Sequence, residues 1–391
     1  MGAPHVLPHP PGVALVGGGF IGPVHAEALR RIGVPIVGLL GSSPDRARGL
    51  ADRLGIPRVY DDLDALIADP AVGAVHVASP NAAHFEQATR VLESGRHIVC
   101  EKPLAVTSAE TAALRDLAES RPRQAAAVNY NVRFYPICQE MKARIARGDL
   151  GRIFRVTGAY EQDWLLWPED YNWRVEPDGA TNLRAVADIG THWMDLAQFV
   201  VGAPIRRLTA DLATFHPIRQ KPTGRPETFT DPRASTVARE PVAISTDDHA
   251  AVLFRMGDET RGGFHVSQVS AGRKNRITLV IDGSEGSMSW DSQDPNVLWL
   301  GHRDKPNQIL ERDPALLSPE ARDFTHYPGG HAEGFPDSFM QLYRAVYAWV
   351  GAGGVGDRPF PTFADGHREV RLCEAIARSA ASGSWEDVET A

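Results

Sequence analysis

Short apolar runs alternate with amphipathic segments through the first third of the chain. The runs have the length and unbroken hydrophobicity of strands buried in a parallel sheet. The predicted strands are Val13–Val16, Val34–Leu40, Val59–Asp61, Ala74–Ala78, His97–Cys100 and Ala125–Asn129. The predicted helices between them are Pro23–Ile32, Pro44–Leu54, Asp62–Asp69 and Ala82–Glu93. Alternating strands and helices of this kind predict a doubly wound α/β sheet.

The second half of the chain shows the period-two alternation of half-buried strands. The predicted strands are Gly151–Glu161, Leu208–Phe215, Ala250–Met256, Thr260–Val269, Arg276–Asp282, Gly286–Trp290 and Val297–Gly301. Because few helices separate these strands, they predict an α+β domain built on a large, open-faced, mainly antiparallel sheet. The aperiodic segment His216–Ser245 is predicted to be a long loop that serves as a lid or a subunit arm.

The length of 391 residues indicates more than one domain. We place the first domain at residues 1–134 and the second at residues 135–391. The last predicted helix, residues 364–381, is expected to pack back on the first domain.

Three glycines follow the first predicted strand in G-x-G-x-x-G spacing: Gly17, Gly19 and Gly22. The first allows a tight turn, the second admits a pyrophosphate close to the backbone, and the third lets the next helix pack against the strand. Phe20 and Ile21 complete this loop, and the helix start attracts phosphate. The stretch predicts a Rossmann domain that binds NAD or NADP, the alternative being a structural glycine turn.

The end of the second strand bears on the choice between the two dinucleotides. An acidic residue that binds the ribose is expected there, but the chain has Gly41, followed by Ser42 and Ser43. These serines and Arg46 are candidates to hold a 2′-phosphate. Arg46 is equally well explained as a solvated charge, so the sequence permits NADP without excluding NAD.

Polar residues also follow the later strands, at the sheet edge where ligands bind in such folds. Ser79, Pro80 and Asn81 are expected to face the cofactor, although Asn81 is also a good helix cap. His84 lies one turn further on, where it either supports the cofactor site or packs. Asn129, at the end of the sixth predicted strand, is a further candidate cofactor contact.

Glu101 and Lys102 follow the strand His97–Cys100 and precede Pro103. Charges at a strand end in a crevice are poorly solvated and need a reason. One reading is a salt-bridged pair on a turn. The other places Glu101 at the cofactor and the Lys102 ammonium beside nicotinamide and substrate, where it polarises an oxygen and moves a proton.

Asp188 and His192 stand four residues apart at the start of an apolar helix that runs through Val201. On a helix this spacing places both side chains on one face. The pair is either structural or a proton relay. Upstream lies an aromatic segment with Trp164, Trp167, Tyr171 and Trp173, which is either core or interface, or else a surface on which sugars stack.

Composition limits the partners. The net charge of −8 gives no reason to expect nucleic acid. Three widely spaced cysteines argue against a disulfide framework and favour a reducing cytoplasm. The start lacks a signal-peptide pattern, and no apolar run is long enough for a membrane span. The histidines form no H-E-x-x-H motif, so no metal is expected.

Three segments together resemble the Gfo/Idh/MocA family, the glucose-fructose and inositol dehydrogenase-like oxidoreductases. They are Val75–His84, Glu101-Lys102-Pro103 and Asn129–Phe134, and the later D-x-x-x-H motif of Asp188 and His192 also fits. The resemblance implies a cis Lys102–Pro103 bond and an NAD(P)-dependent dehydrogenase acting on a secondary hydroxyl of a sugar, glycoside or cyclitol. It further implies that Lys102, Asp188 and His192 handle the proton.

The resemblance also implies substrate contacts and assembly. Tyr130, Arg174 and His331 become candidate substrate residues, although the loop around His331 is equally well explained as the region that caps the next helix. The open sheet is expected to pair with another copy in a homodimer or homotetramer. Three rivals remain: an imine or biliverdin-type reductase, against which the Asp188/His192 pair argues, a cofactor-binding regulator without turnover, and a sugar transhydrogenase with a tightly held cofactor.

Overall fold

The computed structural model describes residues 10–176, 182–223 and 237–388. The chain forms two compact units, each with its own large sheet. The first unit comprises the chain up to Tyr135 together with Glu333–Val370, and the second comprises Pro136–Ala332 and the chain from Arg371. Among the described residues, no helix is both long and apolar enough to cross a membrane.

Ten α-helices lie in the described part of the chain. They are α1 (Ile21–Arg31), α2 (Pro44–Leu54), α3 (Leu63–Ala68), α4 (His84–Glu93), α5 (Ser108–Glu119), α6 (Pro136–Arg147), α7 (Thr191–Val201), α8 (Pro319–Arg322), α9 (Phe335–Gly351) and α10 (Phe363–Ser382). Helix α2 has the bounds predicted from the sequence. Pro44 suits its first position, and Gly55, with a φ of 57°, ends it in the left-handed conformation.

Five strands form the sheet of the first unit. They are β1 (Val13–Val16), β2 (Ile36–Leu40), β3 (Ala74–Val77), β4 (His97–Cys100) and β5 (Ala126–Val128). Their spatial order is β2-β1-β3-β4-β5, and all neighbouring pairs run parallel. The predicted doubly wound α/β sheet is confirmed.

One predicted strand of this unit, Val59–Asp61, is wrong. A single bridge joins Val59 to Leu39, and the Tyr60 N–H donates to the Leu39 carbonyl at 2.9 Å. Asp62 then caps α3 by accepting the Ala65 N–H at 2.8 Å. The chain therefore turns into a helix before a ladder of strand hydrogen bonds can extend.

Residues 333–370 group with the first unit, whereas the sequence analysis assigned most of this segment to the second domain. On α9, Asp337 pairs with Arg31 of α1 at 2.6 Å. Phe363, at the start of α10, belongs to the hydrophobic core around the parallel sheet. Near the end of the same helix, Ser379 accepts a hydrogen bond from the Ala210 N–H at 3.0 Å, so the unit boundary falls inside α10.

The second unit is built on a nine-stranded sheet and a two-stranded hairpin. Its strands are β6 (Ile153–Glu161), β7 (Ile205–Ala213), β8 (Ile218–Pro222), β9 (Arg239–Ala243), β10 (His249–Met256), β11 (Thr260–Ser267), β12 (Arg276–Gly283), β13 (Ser287–Asp291), β14 (Val297–Gly301), β15 (Gln308–Glu311) and β16 (Glu386–Asp387). The large sheet has the order β15-β14-β13-β12-β6-β11-β10-β7-β16, and only the β6–β11 pair of these strands is parallel. The predicted open, mainly antiparallel sheet is confirmed.

The predicted long loop His216–Ser245 contains the β8–β9 hairpin, so the loop prediction is wrong for those strands. The reason is that the hairpin buries a charged side chain. Arg219 has no exposed surface, and its guanidinium donates to the carbonyls of Leu165, Trp167 and Asp170 and to the carboxylate of Asp248. Because a polar residue occupies a core position, the strand lacks the alternation of apolar residues from which strands are predicted. Residues 224–236 of this segment lie outside the described residues.

Candidate active site

The glycine-rich loop between β1 and α1 has the geometry that close backbone packing requires. Gly17 has a φ of 111°, and a Cβ there would collide with the carbonyl of Ala78. A Cβ on Gly22 would lie 2.6 Å from the carbonyl oxygen of Gly17, whereas the corresponding position on Gly19 is open. The geometry at each glycine fits the role predicted for it: a turn, an open approach for a ligand, and close packing of helix on strand.

The start of α1 is suited to an anionic ligand. Phe20 precedes the helix, is 54% exposed and provides no side-chain cap, and the first turn carries no acidic residue. The free N–H groups of this turn and the helix dipole therefore favour a phosphate here. These observations show that the loop residues present fit a dinucleotide.

The end of β2 explains why no acidic residue stands there. A Cβ on Gly41 would lie 2.9 Å from the Cβ of Ala47 on α2, so a carboxylate side chain does not fit without moving that helix. Ser43 precedes α2 in an extended conformation without a side-chain cap. Arg46 is exposed and makes no ion pair in the described part of the chain, whereas Arg48 pairs with Asp45 at 2.9 Å.

His84 connects the ends of two neighbouring strands. Its Nε2 lies 2.9 Å from the carbonyl oxygen of Ser79, and its Nδ1 lies 2.9 Å from that of Pro103. The ring is completely buried, and burial lowers its pKa. His84 thus lies between the turn after β3 and the turn after β4, a position that fits both of its predicted roles. Ser79 also donates to Gln87 on α4 at 2.6 Å.

Glu101 is the most enclosed carboxylate of the predicted cofactor site. It is 8% exposed, with Oε1 3.0 Å from His25 Nε2 and also hydrogen-bonded to Asn129, while Oε2 accepts the backbone N–H of Lys102 at 3.2 Å. Burial acts to raise the pKa of Glu101, but His25, Lys102 and Asn129 outweigh burial and lower the pKa to about 2. The Lys102–Pro103 bond is cis, as the resemblance implied.

Tyr130 lies in the hydrophobic core cluster of the first unit and is completely buried. This position leaves its side chain no exposed surface for a ligand. Asn129, its neighbour, is also buried, and hydrogen-bonds Glu101.

In the second unit, Asp188 lies in a single turn of π-helix, Val186–Gly190, that leads into α7. Such turns are rare and occur frequently at functional sites. The buried carboxylate of Asp247 supports the start of this turn by accepting the backbone N–H groups of Arg184 and Val186. The spacing of Asp188 and His192 predicted one α-helix, whereas the turn that contains Asp188 is the wider π-helical turn.

Two donors hold the carboxylate of Asp188. The amide Nε2 of Gln268 lies 2.8 Å from Oδ2, and Nε of Arg174 lies 3.4 Å from Oδ1. The guanidinium of Arg174 also lies 4.4 Å from the ring centroid of Trp173. The structure therefore brings two of the predicted site residues, Arg174 and Asp188, into one ion pair.

The hydrogen-bond partners determine which atom is oxygen and which is nitrogen in the side-chain amides of Gln162 and Gln268, behind Asp188. The indole of Trp164 is a donor only, so the Gln162 atom 2.8 Å from it is the oxygen. That same oxygen accepts from Nε2 of Gln268 at 3.3 Å, and Gln268 in turn donates to Asp188. Sequence reasoning missed both glutamines. The available signal was their position, since each directly follows one of the two parallel strands β6 and β11, whose ends meet at one sheet edge.

His192 lies one residue into α7, with its ring centroid 6.3 Å from that of Tyr160 on β6. Tyr160 donates to Asn275 at 2.7 Å, and burial, with the charge of Asp188 as a second cause, raises its pKa well above the ordinary value. Its hydroxyl therefore stays protonated at neutral pH. His192, Asp188 and Tyr160 form the polar end of this unit's sheet.

The remaining predicted residues are more exposed. Trp167 and Trp173 are 37% and 42% exposed, whereas Tyr171 packs in a small core cluster, so the aromatic segment divides between surface and core. His331 is exposed, with Nδ1 3.2 Å from the carbonyl of Gly329 in its own loop. The helix that follows is capped by Asp337, whose Oδ2 accepts the Gly334 N–H at 2.7 Å.

Two family models match the chain over most of its length. Residues 12–130 match an oxidoreductase family with an NAD-binding Rossmann fold, and residues 138–289 match the GFO/IDH/MocA C-terminal domain. The chain belongs to the Gfo/Idh/MocA oxidoreductase family. The predicted family membership is thereby confirmed.

Members of the family with similar sequences include sugar and cyclitol dehydrogenases. Levoglucosan dehydrogenase from Pseudarthrobacter phenanthrenivorans is 29% identical and aligns over 96% of this chain and 97% of its own. Inositol 2-dehydrogenase 2 from Saccharopolyspora erythraea is 26% identical over 97% and 96% of the two chains.

Solved structures of the family agree with the fold. A levoglucosan dehydrogenase in complex with NADH and L-sorbose has a TM-score of 0.86 at 28% identity and covers 97% of this chain and 99% of its own. An inositol dehydrogenase homologue from Azotobacter vinelandii, in complex with NADH and myo-inositol, has a TM-score of 0.83 at 29% identity, with 97% and 98% covered. The predicted enzyme class, an NAD(P)-dependent dehydrogenase of sugars or polyols, is confirmed at this level.

Proposed function

We propose that the protein oxidises a secondary hydroxyl of a pyranose, glycoside or cyclitol, with Lys102, Asp188 and His192 handling the proton. The observation that carries the proposal is the setting of Asp188, which is fixed by Gln268 and Arg174 one turn before His192. A carboxylate held by directed donors beside an imidazole is an arrangement suited to proton transfer.

Each residue has one proposed role. His192 accepts the proton of the substrate hydroxyl, and Asp188 orients His192 or the substrate. Lys102 polarises the same oxygen with its ammonium, or exchanges the role of base with His192. Bound NAD(P)+ supplies the hydride acceptor.

The proposed substrate class rests on the relatives and on the exposed aromatic residues. The relatives are named for levoglucosan, inositol, glucose 6-phosphate and D-glucoside oxidation. Trp167 and Trp173 expose indole surface on the segment that carries Arg174. Aromatic faces suit the apolar faces of sugar rings, so a pyranose or glycoside is favoured over a small hydroxy acid.

The residues at the end of β2 bear on whether NAD or NADP is bound. A carboxylate at that position would repel a 2′-phosphate, and Gly41 removes this repulsion. Ser42, Ser43 and the exposed Arg46 are proposed to contact the ribose, or its phosphate when NADP is bound.

The test is reduction of NAD+ and NADP+, followed by absorbance of the reduced nicotinamide, over a panel of polyols, pyranoses and glycosides. Turnover with at least one polyhydroxylated substrate supports the proposal. Binding of cofactor with no turnover on any substrate favours the regulatory alternative. A cofactor that copurifies, does not exchange, and is reduced by one sugar and reoxidised by another identifies the transhydrogenase alternative.

We also propose that the open sheet face pairs with a second copy, as a homodimer or homotetramer. On β10, Leu253 is 58% exposed on the face opposite the buried Val252 and Phe254. Ile309 on β15 is 59% exposed. Large exposed apolar side chains on an extended sheet face mark a candidate interaction surface, and light scattering after gel filtration measures the assembly.

A further inference from the structure

A chain of buried hydrogen bonds runs behind Glu101 in the first unit. The hydroxyl of Tyr347 on α9 lies 2.8 Å from Nε2 of His76 on β3. Nδ1 of His76 lies 2.9 Å from Nδ1 of His25 on α1. Nε2 of His25 lies 3.0 Å from Oε1 of Glu101. Both histidines are completely buried and Tyr347 is 1% exposed, so water does not compete for these contacts.

Chemistry fixes the hydrogen at the Glu101 end of this chain. An ionised carboxylate only accepts, so Nε2 of His25 must carry a hydrogen. Only one hydrogen fits between the two Nδ1 atoms, and it belongs to either His76 or His25. Burial, and secondly the nearby His25, lower the pKa of His76 well below its ordinary value, so His76 is neutral in both cases. Both arrangements leave the Nε2–H of His25 directed at Glu101.

Glu101 depends on this donor because it is buried. An isolated carboxylate in such surroundings takes up a proton, since burial disfavours the charged form. The other carboxylate oxygen accepts the backbone N–H of Lys102. His25 therefore sets the charge and the orientation of Glu101 through one carboxylate oxygen. The other oxygen holds the turn that carries Lys102 through its hydrogen bond to the backbone.

We propose that His25 is a positioning residue of the dehydrogenase reaction: it keeps Glu101 ionised and fixed against the backbone of Lys102. His76 and Tyr347 hold the His25 ring in the orientation that this contact needs. The inference rests on the proposed function, because it assigns to Lys102 the part in proton handling given there. His25 follows the glycine-rich loop by only three residues, so one helical turn serves both the cofactor loop and the Lys102 turn.

Other titratable groups around Glu101 do not replace His25. Burial, with the charge of Glu101 as a second cause, raises the pKa of Tyr343 on α9 and of Cys100 on β4, so both stay neutral. Burial lowers the pKa of His84 on α4, against smaller opposing effects of the Pro103 and Ser79 carbonyls and then of Glu101. Among the titratable groups of the described residues, this leaves His25 and Lys102 as the partners that stabilise the anion, beside the amide of Asn129.

The experiment compares His25→Leu, which removes the donor, with His25→Gln, whose amide reaches the position of Nε2 and donates to Glu101. We measure kcat and KM against pH in the wild-type protein, both variants, Glu101→Gln, and the double variant of His25→Leu with Glu101→Gln. In His25→Leu we expect the acid limb of kcat to lie at about pH 4, about two pH units above the wild-type pKa of Glu101, which is about 2, because Glu101 becomes protonated there. His25→Gln restores the wild-type profile.

The double variant tests whether His25 acts through Glu101. Glu101→Gln removes the charge that His25 maintains, so adding His25→Leu is expected to lower kcat by less than about twofold further. If His25→Leu does not fold, His25→Asn replaces it, because its shorter amide does not reach Glu101. A folded donor-less variant with the wild-type pH profile overturns the proposal. So does a uniform loss of kcat at every pH that His25→Gln does not restore.

An infrared measurement separates this inference from the proposed function. Between pH 7 and about pH 4, the protonated-carboxyl C=O band is expected to grow more in His25→Leu than in wild type, and this excess is expected to be absent in the double variant. This readout needs no substrate. If the band behaves as expected while no protein turns over any polyol, the proposed function fails and the role of His25 in holding Glu101 ionised stands. If His25→Leu shows no such excess, the inference about His25 fails whatever the activity.

Discussion

The amide of Gln268 donates to the Asp188 carboxylate at 2.8 Å, from a side chain with no exposed surface. Asp188 is thus oriented from within the second unit, before any ligand binds. A positioned carboxylate keeps its orientation only while its hydrogen-bond donors remain.

We expect Gln268→Met to lower kcat by about tenfold, with a smaller change in KM, because Met keeps the volume and removes the donor to Asp188. Steady-state kinetics on the best polyol measures this effect. Gln308→Met, on the exposed edge strand β15, is the matched control and should leave kcat unchanged. Equal kinetics in both variants would show that Asp188 does not need this donor.

Lys102→Ala and His192→Ala should each lower kcat by about 10²-fold or more, the usual contribution of a positioned acid or base. Cofactor binding, followed by protein fluorescence on titration with NADH or NADPH, should persist because neither residue belongs to the glycine-rich loop. Lys305→Ala, an exposed lysine, is the control for loss of a charge. Unchanged turnover in either site variant contradicts its assigned role.

Arg46→Ala tests the cofactor contact. We expect it to weaken NADPH binding by about tenfold relative to NADH, since a charge-assisted contact to the 2′-phosphate is lost. The neighbouring Arg48→Ala should affect both cofactors equally little, because Arg48 pairs with Asp45. If Arg46→Ala leaves the ratio of the two affinities unchanged, Arg46 is a solvated charge.

Asp247 makes the stability of the second unit depend on pH. Burial raises the pKa of Asp247 to about 6, above its ordinary 3.8, against opposing hydrogen bonds from the backbone. The folded state therefore binds more protons than the unfolded state between about pH 4 and pH 6. The contribution of Asp247 is present below this window and is lost as pH rises through it. Urea unfolding should show a shallower loss over this window in Asp247→Asn than in the wild-type protein.

Leu253→Glu should dissociate the proposed assembly, because it places a negative charge at an exposed apolar position of β10. Light scattering after gel filtration gives the mass. Val355→Glu is the control, since Val355 is equally exposed at 57% but lies on a loop of the first unit. A wild-type monomer would contradict the proposed assembly, and an oligomer unaffected by Leu253→Glu would place the interface elsewhere.

The parallel sheet could be predicted from sequence because its strands are short, unbroken apolar runs. Strand β4 begins and ends where the pattern placed it. The failures have local causes. Val59–Asp61 carries a strand-like composition, but the cap at Asp62 ends the strand after one bridge. Strand β8 was not predicted because the residue that it buries is the charged Arg219.

Sequence analysis predicted those residues of the candidate site that can be identified from their immediate neighbours in the chain. Gly17, Gly19 and Gly22 reveal their roles by spacing, and Glu101 and Lys102 by their place after a strand. The residues that fix them come from distant segments: Gln268 reaches Asp188 across 80 positions, and His25 reaches Glu101 across 76. Pairings over such separations depend on how the sheets close, which no local pattern encodes.

The buried guanidinium of Arg219 has a practical consequence for anyone who shortens this chain. The β8–β9 hairpin looks like a removable insertion, yet its arginine supplies three backbone carbonyls with donors and shares Asp248 with Arg184. Deleting the hairpin would remove one of the two cations at Asp248. It would also leave the three backbone carbonyls in the segment before Arg174 without their hydrogen-bond donor. A trimmed enzyme would therefore need a replacement donor at that point, and grafting the hairpin onto a relative would require the acceptors to move with it.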